Sequence, residues 1–532
     1  MLLAVLAVGI PFLLIATTAW RSVPSFDGAM NLQVAANIAD GDGFVRDYHY
    51  DGIVRPDSYG NTTIAPEEIQ TSGFWLLIAA AGLKVFGLSA FSLQLTNLLF
   101  MFGLLALVWI ALRPWPVLRL VGPTAVIFLT PAVGDNSLGG YGEFSIAALA
   151  LGSFVALAKI AEGNRHAVKL SLTAFALLGI ALTIKTISVA LVPVVLVGVV
   201  LAAFTRNDVP RLQLLAAAPM AVGPVLAFEI YRMTQLGSVG GWFYYWKNQA
   251  GMISAQSGVD QAESAVSTLD KGRGHLEILS NIVGIPNLAL ALLLALPGAL
   301  LVAAFLLRKC SVREWLAKPG RLLVTLLVSY EGLYLLWWLF ITPTEKAWIR
   351  RLIIGWVVMV VASLVLAGMA WASARTLWSE PIFRRARIPA VLAALAFVPV
   401  YVGSVAQVAE KNFDSYTGSR PERENVEAAA SYVTKLGANG GMPCGLDWWG
   451  APVISLYTDL PFCNLVKINP CAAPYRRFIE TGQLYLVWDF YAKAIIRETP
   501  PEDPKYKYTL VADPSPYAAI YAVSLTGDAC PV

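Results

Sequence analysis

Ser25-Phe-Asp-Gly-Ala-Met-Asn-Leu-Gln-Val-Ala-Ala-Asn-Ile-Ala-Asp-Gly-Asp-Gly-Phe44 follows shortly after the apolar run Leu2–Trp20. That run is long enough to cross a bilayer. Asp27 therefore opens a short amphipathic helix where the chain leaves the membrane, and a Gly turn closes it. A carboxylate held at a membrane surface is well placed to act on a lipid-borne substrate. Asp is also a favoured N-cap, accepting the first free backbone N–H groups of a helix. Cap and catalytic acid both stand at this point, and the rest of the chain has to choose between them.

Mean hydropathy of +0.62, with 57% hydrophobic and 14% charged residues, excludes an ordinary soluble globule. Apolar runs fall near 2–20, 92–112, 120–134, 144–161, 170–184, 187–204, 212–231, 283–307, 322–341, 352–373 and 389–408. The expected architecture is an all-α polytopic membrane domain of about eleven spans, followed by a C-terminal extracytoplasmic α/β domain. A net charge of +4 is small and points to no nucleic-acid partner.

Charge placement gives the orientation. The loops 113–119, 158–169, 204–211, 308–321 and 375–387 hold sixteen Lys/Arg in fifty-four residues. The loops on the other side (21–72, 135–143, 185–186, 232–282 and 342–351) hold eleven in more than twice that length. By the positive-inside rule the first set is cytoplasmic. The N-terminus is then cytoplasmic and the tail after Val408 is outside; only Arg21 argues otherwise. The first run lacks a basic n-region, and Ile15-Ala-Thr-Thr-Ala19 is a weak cleavage site, so it reads as a span and not a signal peptide. Cys444, Cys463, Cys471 and Cys530 all lie in the outward tail, while Cys310 stands alone in a basic loop. One or two disulfides are expected, with three pairings open. Zinc is the alternative, without a Cys-x-x-Cys to support it.

The chain divides into a membrane domain, 1–408, and a tail domain, 409–532. Within the first, the outer loop 21–91 carries Asp27, Asp40, Asp42, His49 and Arg55. It leads into Thr71-Ser-Gly-Phe-Trp-Leu-Leu-Ile-Ala-Ala-Ala-Gly-Leu-Lys-Val-Phe-Gly87, too short for a comfortable span and read as an interfacial or re-entrant helix. The loop 232–282 is long and opens with Gly240-Gly-Trp-Phe-Tyr-Tyr-Trp246. Loops of this length in compact proteins serve as lids or binding loops, or are disordered. Trp242, Tyr245 and His275 are the lid or acceptor candidates there, with an interfacial aromatic belt as the plainer reading. In the tail, Glu422–Leu436 and Ala451–Thr458 read as helices, and Met442–Leu446, Tyr485–Phe490 and Tyr508–Ala512 as strands. Trp448 and Trp449 either stack on a sugar or pack.

At Gly139-Gly-Tyr-Gly-Glu143 a Gly-rich turn sets a second carboxylate at the outer start of a span. Alone it is a helix-start acid favoured by the dipole. Together, Asp27 and Glu143 outline a cavity in which two acids can divide base and orienting roles. Outward cations are Lys346, Arg350 and Arg351 in Thr344-Glu-Lys-Ala-Trp-Ile-Arg-Arg351, with Lys185, Arg55 and His49. Arg350 begins a span at headgroup depth, where it either holds an anion or snorkels. Asp40-Gly-Asp42 spells Asp-x-Asp, a metal-binding pattern, but Asp-Gly is also a common turn. Glu331, in mid-span at Ser329-Tyr-Glu-Gly332, is costly in a membrane; a hydrogen bond to a neighbouring helix is its plainer role.

The membrane-exit Asp followed by a short helix and a Gly-x-Gly-Phe turn resembles the first outer loop of polyprenyl-phosphate-dependent glycosyltransferases of the GT-C class. These include the aminoarabinose, arabinofuranosyl and protein O-mannosyl transferases. Thr71-Ser-Gly-Phe-Trp75 through Gly87 is similar to their juxtamembrane helix, and Gly142-Glu143 to their second acidic motif. Lys185 stands where many members carry a basic residue. The helix-start Lys of the aminoarabinose enzymes is absent, since Thr71-Ser-Gly73 occupies that place. The resemblance implies an inverting glycosyltransferase of the bacterial inner membrane with its tail in the periplasm. It implies Asp27 as general base and a polyprenyl-phosphate sugar donor bound by outward cations; a divalent metal cofactor rests on Asp40 and Asp42 alone. The acceptor is then a glycan, lipid or protein. The competing classes are a flippase of lipid-linked sugars and an O-antigen-ligase-like transferase, the latter relying on outer Arg and on His49 or His275.

Overall fold

The structure is a computed structural model. It describes residues 2–21, 23–43, 48–49, 73–131, 142–206, 208–256, 268–306, 310–342, 349–377, 406–411, 423–446, 451–458, 460–466, 468–471, 473–489 and 502–526, with isolated positions (133, 308, 403, 413, 492 and 499–500) between them.

Its helices in chain order are α1 (Leu2–Arg21), α2 (Phe26–Asp40), α3 (Phe74–Phe86), α4 (Ala90–Ala111), α5 (Pro116–Leu129), α6 (Glu143–Ala161) and α7 (Ala167–Ile184). A 3-10 turn, Thr186–Ala190, leads into α8 (Leu191–Thr205), α9 (Arg211–Leu215), α10 (Pro219–Gln235), α11 (Val239–Gln256), α12 (Thr268–Val283) and α13 (Asn287–Leu306). Then come α14 (Val312–Ala317), α15 (Arg321–Leu336) with a π turn at Trp337–Ile341, and α16 (Ile349–Leu377).

Among the described residues nine helices are long and apolar enough to cross a membrane. Ten of the eleven expected runs coincide with helices; the run 389–408 lies largely outside the described residues. The expected span 120–134 is cut short. α5 ends at Leu129 after 14 residues, roughly 21 Å against a hydrocarbon core of about 30 Å. α3 is shorter still at 13 residues, in keeping with the interfacial reading.

α6 is the axis of the bundle, with 94% of its apolar window buried. Its run of Ala with Gly152 gives it the thin surface that membrane helices need for close approach. Gly152 lets Leu177 of α7 in, and Ser153 Oγ donates to Ala174 O at 3.1 Å. α3 meets α7 through Gly73, whose φ of 63° favours glycine. A Cβ there would lie 2.3–2.4 Å from the side chain and carbonyl of Thr183. Gly73→Ala should therefore cost about 1–3 kcal/mol from the backbone alone, plus the clash. A lowered unfolding midpoint in detergent checks this, and an unchanged one would contradict the packing.

Four of the basic loops (113–119, 158–169, 204–211 and 308–321) meet at one end of the bundle, while 375–387 lies almost wholly outside the described residues. At one end, Arg206 Nη1 donates to Ile160 O (3.0 Å) and Asn164 O (2.9 Å), Gly320 N donates to Glu162 Oε1 (3.1 Å), and Trp115 packs against Gly320 and Gly368. These residues, all but Gly368, come from the loops assigned to the cytoplasm.

At the other end sits the tail domain, with α17 (Arg423–Ala438), α18 (Ala451–Thr458) and α19 (Ala473–Glu480). Its strands are β2 (Met442–Gly445), β3 (Phe462–Asn464), β4 (Leu484–Asp489), β5 (Tyr506–Ser515) and β6 (Ala518–Leu525). The sheet has six strands in the order β1-β3-β2-β4-β6-β5. β1 is Tyr48–His49 from the first outer loop, pairing in parallel with Phe462 and Cys463 of β3. The sheet thus takes one strand from the first outer loop and the other five from residues 442–525. α18 packs on α2, where Gln33 Nε2 donates to Pro452 O at 2.9 Å. Arg423 lies 5.0 Å over the Trp20 ring at the end of α1.

Cys444 and Cys463 form a disulfide between β2 and β3, and Cys471 is disulfide-bonded as well. Cys530 lies outside the described residues; Cys310 is a free thiol. With its cysteines separated by 19 in sequence, the Cys444–Cys463 bond should contribute about 3 kcal/mol to the tail domain. Paired Cys444→Ala and Cys463→Ala substitutions should lower the unfolding midpoint accordingly, and equal stability would contradict this.

Candidate active site

Asp27 does not cap its helix. Ser25 does, its Oγ accepting from Gly28 N at 3.2 Å with extended backbone. That corrects the N-cap reading and leaves the Asp27 carboxylate for other work in the first turn. It forms an ion pair with Nη1 of Arg350, at the start of α16. The two side chains are only 11% and 17% exposed.

Glu143 opens α6 directly after Gly142, which takes the left-handed conformation at φ 79°. Lys185 follows α7 in extended backbone, and its Nζ donates to Glu143 Oε1. Glu143 is buried, and its Oε2 has no hydrogen-bond partner among the described residues. The two ion pairs belong to one electrostatic unit. Arg350 acts on both Glu143 and Lys185, Asp27 acts on Lys185, and Arg351 acts on Glu143. Tyr334 of α15, packed against Gly355, feels Glu143 and Arg351 as well.

Three helix N-termini, those of α2, α6 and α16, converge here, and each presents the positive end of its dipole. Three cations (Lys185, Arg350 and Arg351) face two carboxylates, leaving one positive charge in excess among the described residues. An arrangement of this kind can hold an anion and keep a carboxylate beside it.

Along α16, beginning about 9 Å beyond Arg350, runs an apolar cavity lined by Leu129, Leu293, Trp356, Met359, Leu364 and Val408. Trp356 is fixed by donating Nε1 to Leu129 O at 2.8 Å.

Other candidates are placed elsewhere. The backbone of His49 is at the edge of the tail sheet in β1, and Arg55, Lys346, Trp448 and Trp449 lie outside the described residues. Trp242 and Tyr245 face inward. Glu229 Oε2 accepts from Trp242 Nε1 (2.7 Å) and Trp246 Nε1 (2.9 Å), while Glu229 Oε1 takes Arg232 Nη1 at 2.8 Å. Arg232 in turn lies 4.4 Å over the Tyr245 ring, and burial pushes the Tyr245 phenol above its ordinary value. The exposed members of that motif are Phe243 and Tyr244. His275 is buried edge-on against Trp338, ring centroids 5.0 Å apart, with Nδ1 2.8 Å from Lys271 O. All three are therefore engaged in packing, which does not fit an open lid surface.

Asp40 and Asp42 are exposed in the turn that ends α2, where the N–H groups of Gly41, Asp42 and Gly43 all donate to Asn37 O. No group of three metal-ligating side chains occurs among the described residues. Glu331 is buried in mid-span, and neither of its oxygens has a partner among the described residues; the interhelical hydrogen bond expected of it is not seen there. Tyr334 was not legible as a site residue: it reads as one more aromatic in an apolar run, and only the approach of α15 to α16 sets it beside Arg351.

No protein-family model matches the sequence, and no curated protein is matched by it. Among solved structures, the fold matches ArnT from Cupriavidus metallidurans bound to undecaprenyl phosphate, with a TM-score of 0.51 at 14% identity over 99% of both chains. The apo form of the same protein gives 0.50 at 13% over 99% of both. The archaeal oligosaccharyltransferase AglB from Archaeoglobus fulgidus, in complex with an inhibitory peptide and a dolichol-phosphate, gives 0.44 at 12%, covering 99% of this chain and 75% of its own. The chain shares the fold of ArnT over nearly its whole length, the tail domain included.

Proposed function

We propose that this membrane protein is a glycosyltransferase that moves a sugar from a polyprenyl-phosphate donor to a glycan, lipid or protein acceptor on the extracytoplasmic face. The observation that carries this reading is the five-charge cluster at the outward end of the bundle, with one positive charge in excess and Asp27 inside it. An anion site at the end of a membrane bundle suits the headgroup of a lipid-linked donor. ArnT, whose fold the chain shares, holds undecaprenyl phosphate, and that supports the same class of donor here.

In the proposed reaction the acceptor hydroxyl attacks the anomeric carbon as Asp27 takes its proton. The bond from that carbon to the phosphate oxygen breaks, and the polyprenyl phosphate leaves with the electron pair. Arg350, Arg351 and Lys185 stabilise the charge that develops on it. A single displacement inverts the anomeric configuration. Glu143 holds Lys185 in place and is not itself required to move a proton. The loop charges support an N-terminus in the cytoplasm with the tail outside, and the fold shared with ArnT supports the bacterial inner membrane.

The test is transfer of radiolabelled sugar from a membrane pool of polyprenyl-phosphate sugars by the purified protein in vesicles, with the anomeric configuration of the product determined. Inverted product supports the reading. Movement of labelled lipid between leaflets without transfer would replace it with a flippase.

A further inference from the structure

Asp27 and Arg350 are needed for two different tasks in the proposed reaction, yet they are paired with each other. Asp27 occupies Nη1, one prong of the guanidinium fork. A phosphate gripped in the bidentate manner that suits Arg takes that same prong. A carboxylate and a phosphate are both anions, so sharing it would set like charges side by side.

The second acid does not face the same conflict. Glu143 is matched by Lys185 from a different element and keeps that partner whether or not Arg350 is occupied. Arg351 lies next to Arg350 in sequence and acts on the same cluster, so an arriving anion meets two guanidinium groups at this corner.

We propose that Arg350 acts as a latch: the donor phosphate displaces Asp27 from it, so the base is released only once the donor is seated. This rests on the glycosyltransferase reading and adds to it a compulsory order, donor before acceptor. An acceptor hydroxyl arriving first meets a carboxylate whose oxygen is engaged by a guanidinium. After the donor binds, the same carboxylate is off the guanidinium and free to take the hydroxyl proton. The latch also keeps Asp27 compensated at a partly buried position, where an isolated carboxylate would be costly.

The inference makes an unusual prediction: the variant that loses catalysis binds the lipid phosphate more tightly. The probe is undecaprenyl phosphate, titrated against the full chain in lipid nanodiscs, with undecaprenol as the control for the hydrocarbon tail. Asp27→Asn should tighten undecaprenyl phosphate binding by about tenfold or more, the scale of close charge-pair coupling, and leave undecaprenol binding unchanged. Asp27→Ala should do the same, which guards against a defect peculiar to Asn. Glu143→Gln removes an equal charge from the same cluster and should tighten binding much less. In an Arg350→Gln background, Asp27→Asn should no longer tighten it.

Unchanged or weaker binding in both Asp27 variants overturns the latch. So does equal tightening in the Arg350→Gln background, because that is a field effect and not competition. The two readings separate cleanly. Transfer by the wild type without tightening in the variants removes the latch and leaves the transferase. Tightening without transfer by the wild type does the reverse.

Discussion

Asp27→Asn is expected to slow sugar transfer by about 10²–10⁴-fold, the usual contribution of a positioned general base, while the protein stays folded. Ser25 and not Asp27 caps α2, so the helix start survives the substitution. Asn keeps the shape of the side chain but cannot take a proton from the acceptor hydroxyl. Asp27→Glu keeps the carboxylate and displaces it by one methylene, and should retain a measurable fraction of the rate. The measurement is single-turnover transfer at saturating donor, with the thermal unfolding midpoint of each variant as the folding control. A rate for Asp27→Asn equal to wild type would reduce Asp27 to a counter-ion for Arg350 and turn attention to Glu143, whose free oxygen is the other acceptor in the cluster.

Lys185→Met is expected to be the most destabilising change at the site. It leaves Glu143, itself almost wholly buried, without the ammonium that its Oε1 accepts from. Removing one partner of a buried pair costs about 3–5 kcal/mol, because the remaining charge stays out of water uncompensated. The double variant Glu143→Gln with Lys185→Met should recover most of the loss, since nothing charged is then left unpaired at that corner. Thermal or denaturant unfolding in detergent reads both. A single variant as stable as wild type would mean that Arg350 and Arg351, which also act on Glu143, suffice to hold it. A double variant worse than either single change would mean that packing around Lys185, and not charge, supports the turn.

The identities of the charged residues were legible because each stands at a helix end next to a loop whose side of the membrane the Lys/Arg distribution reveals. Their pairing was not. Glu143 and Lys185 are 42 residues apart and Asp27 and Arg350 are 323 apart, and nothing local to either residue says which cation meets which acid. The aromatic run at Trp242–Trp246 was visible, but an amphipathic helix end shows a cluster without showing which rings turn inward. Glu229 and Arg232, the groups that draw Trp242, Tyr245 and Trp246 in, sit in the preceding helix and look like ordinary polar residues at a helix end. In the tail, α18 was readable to the residue at Ala451–Thr458. β3 is only three residues long and β1 only two, too short for any alternation to appear. β1 exists only because a partner strand from the far end of the chain is there to bond it.

The docking of α18 on α2 has a consequence in time. Gln33 and Pro452 are separated by 419 residues, which takes roughly 20–80 s to synthesise at about 5–20 residues per second. Until that interval has passed, the helix bearing Asp27 has no partner on its outer flank, and β1 has no sheet to join. The bundle can insert and assemble span by span, but the reactive corner is braced only when the polypeptide beyond residue 452 has crossed and folded. A half-made copy in the membrane therefore carries its charged residues without the brace that α18 gives them.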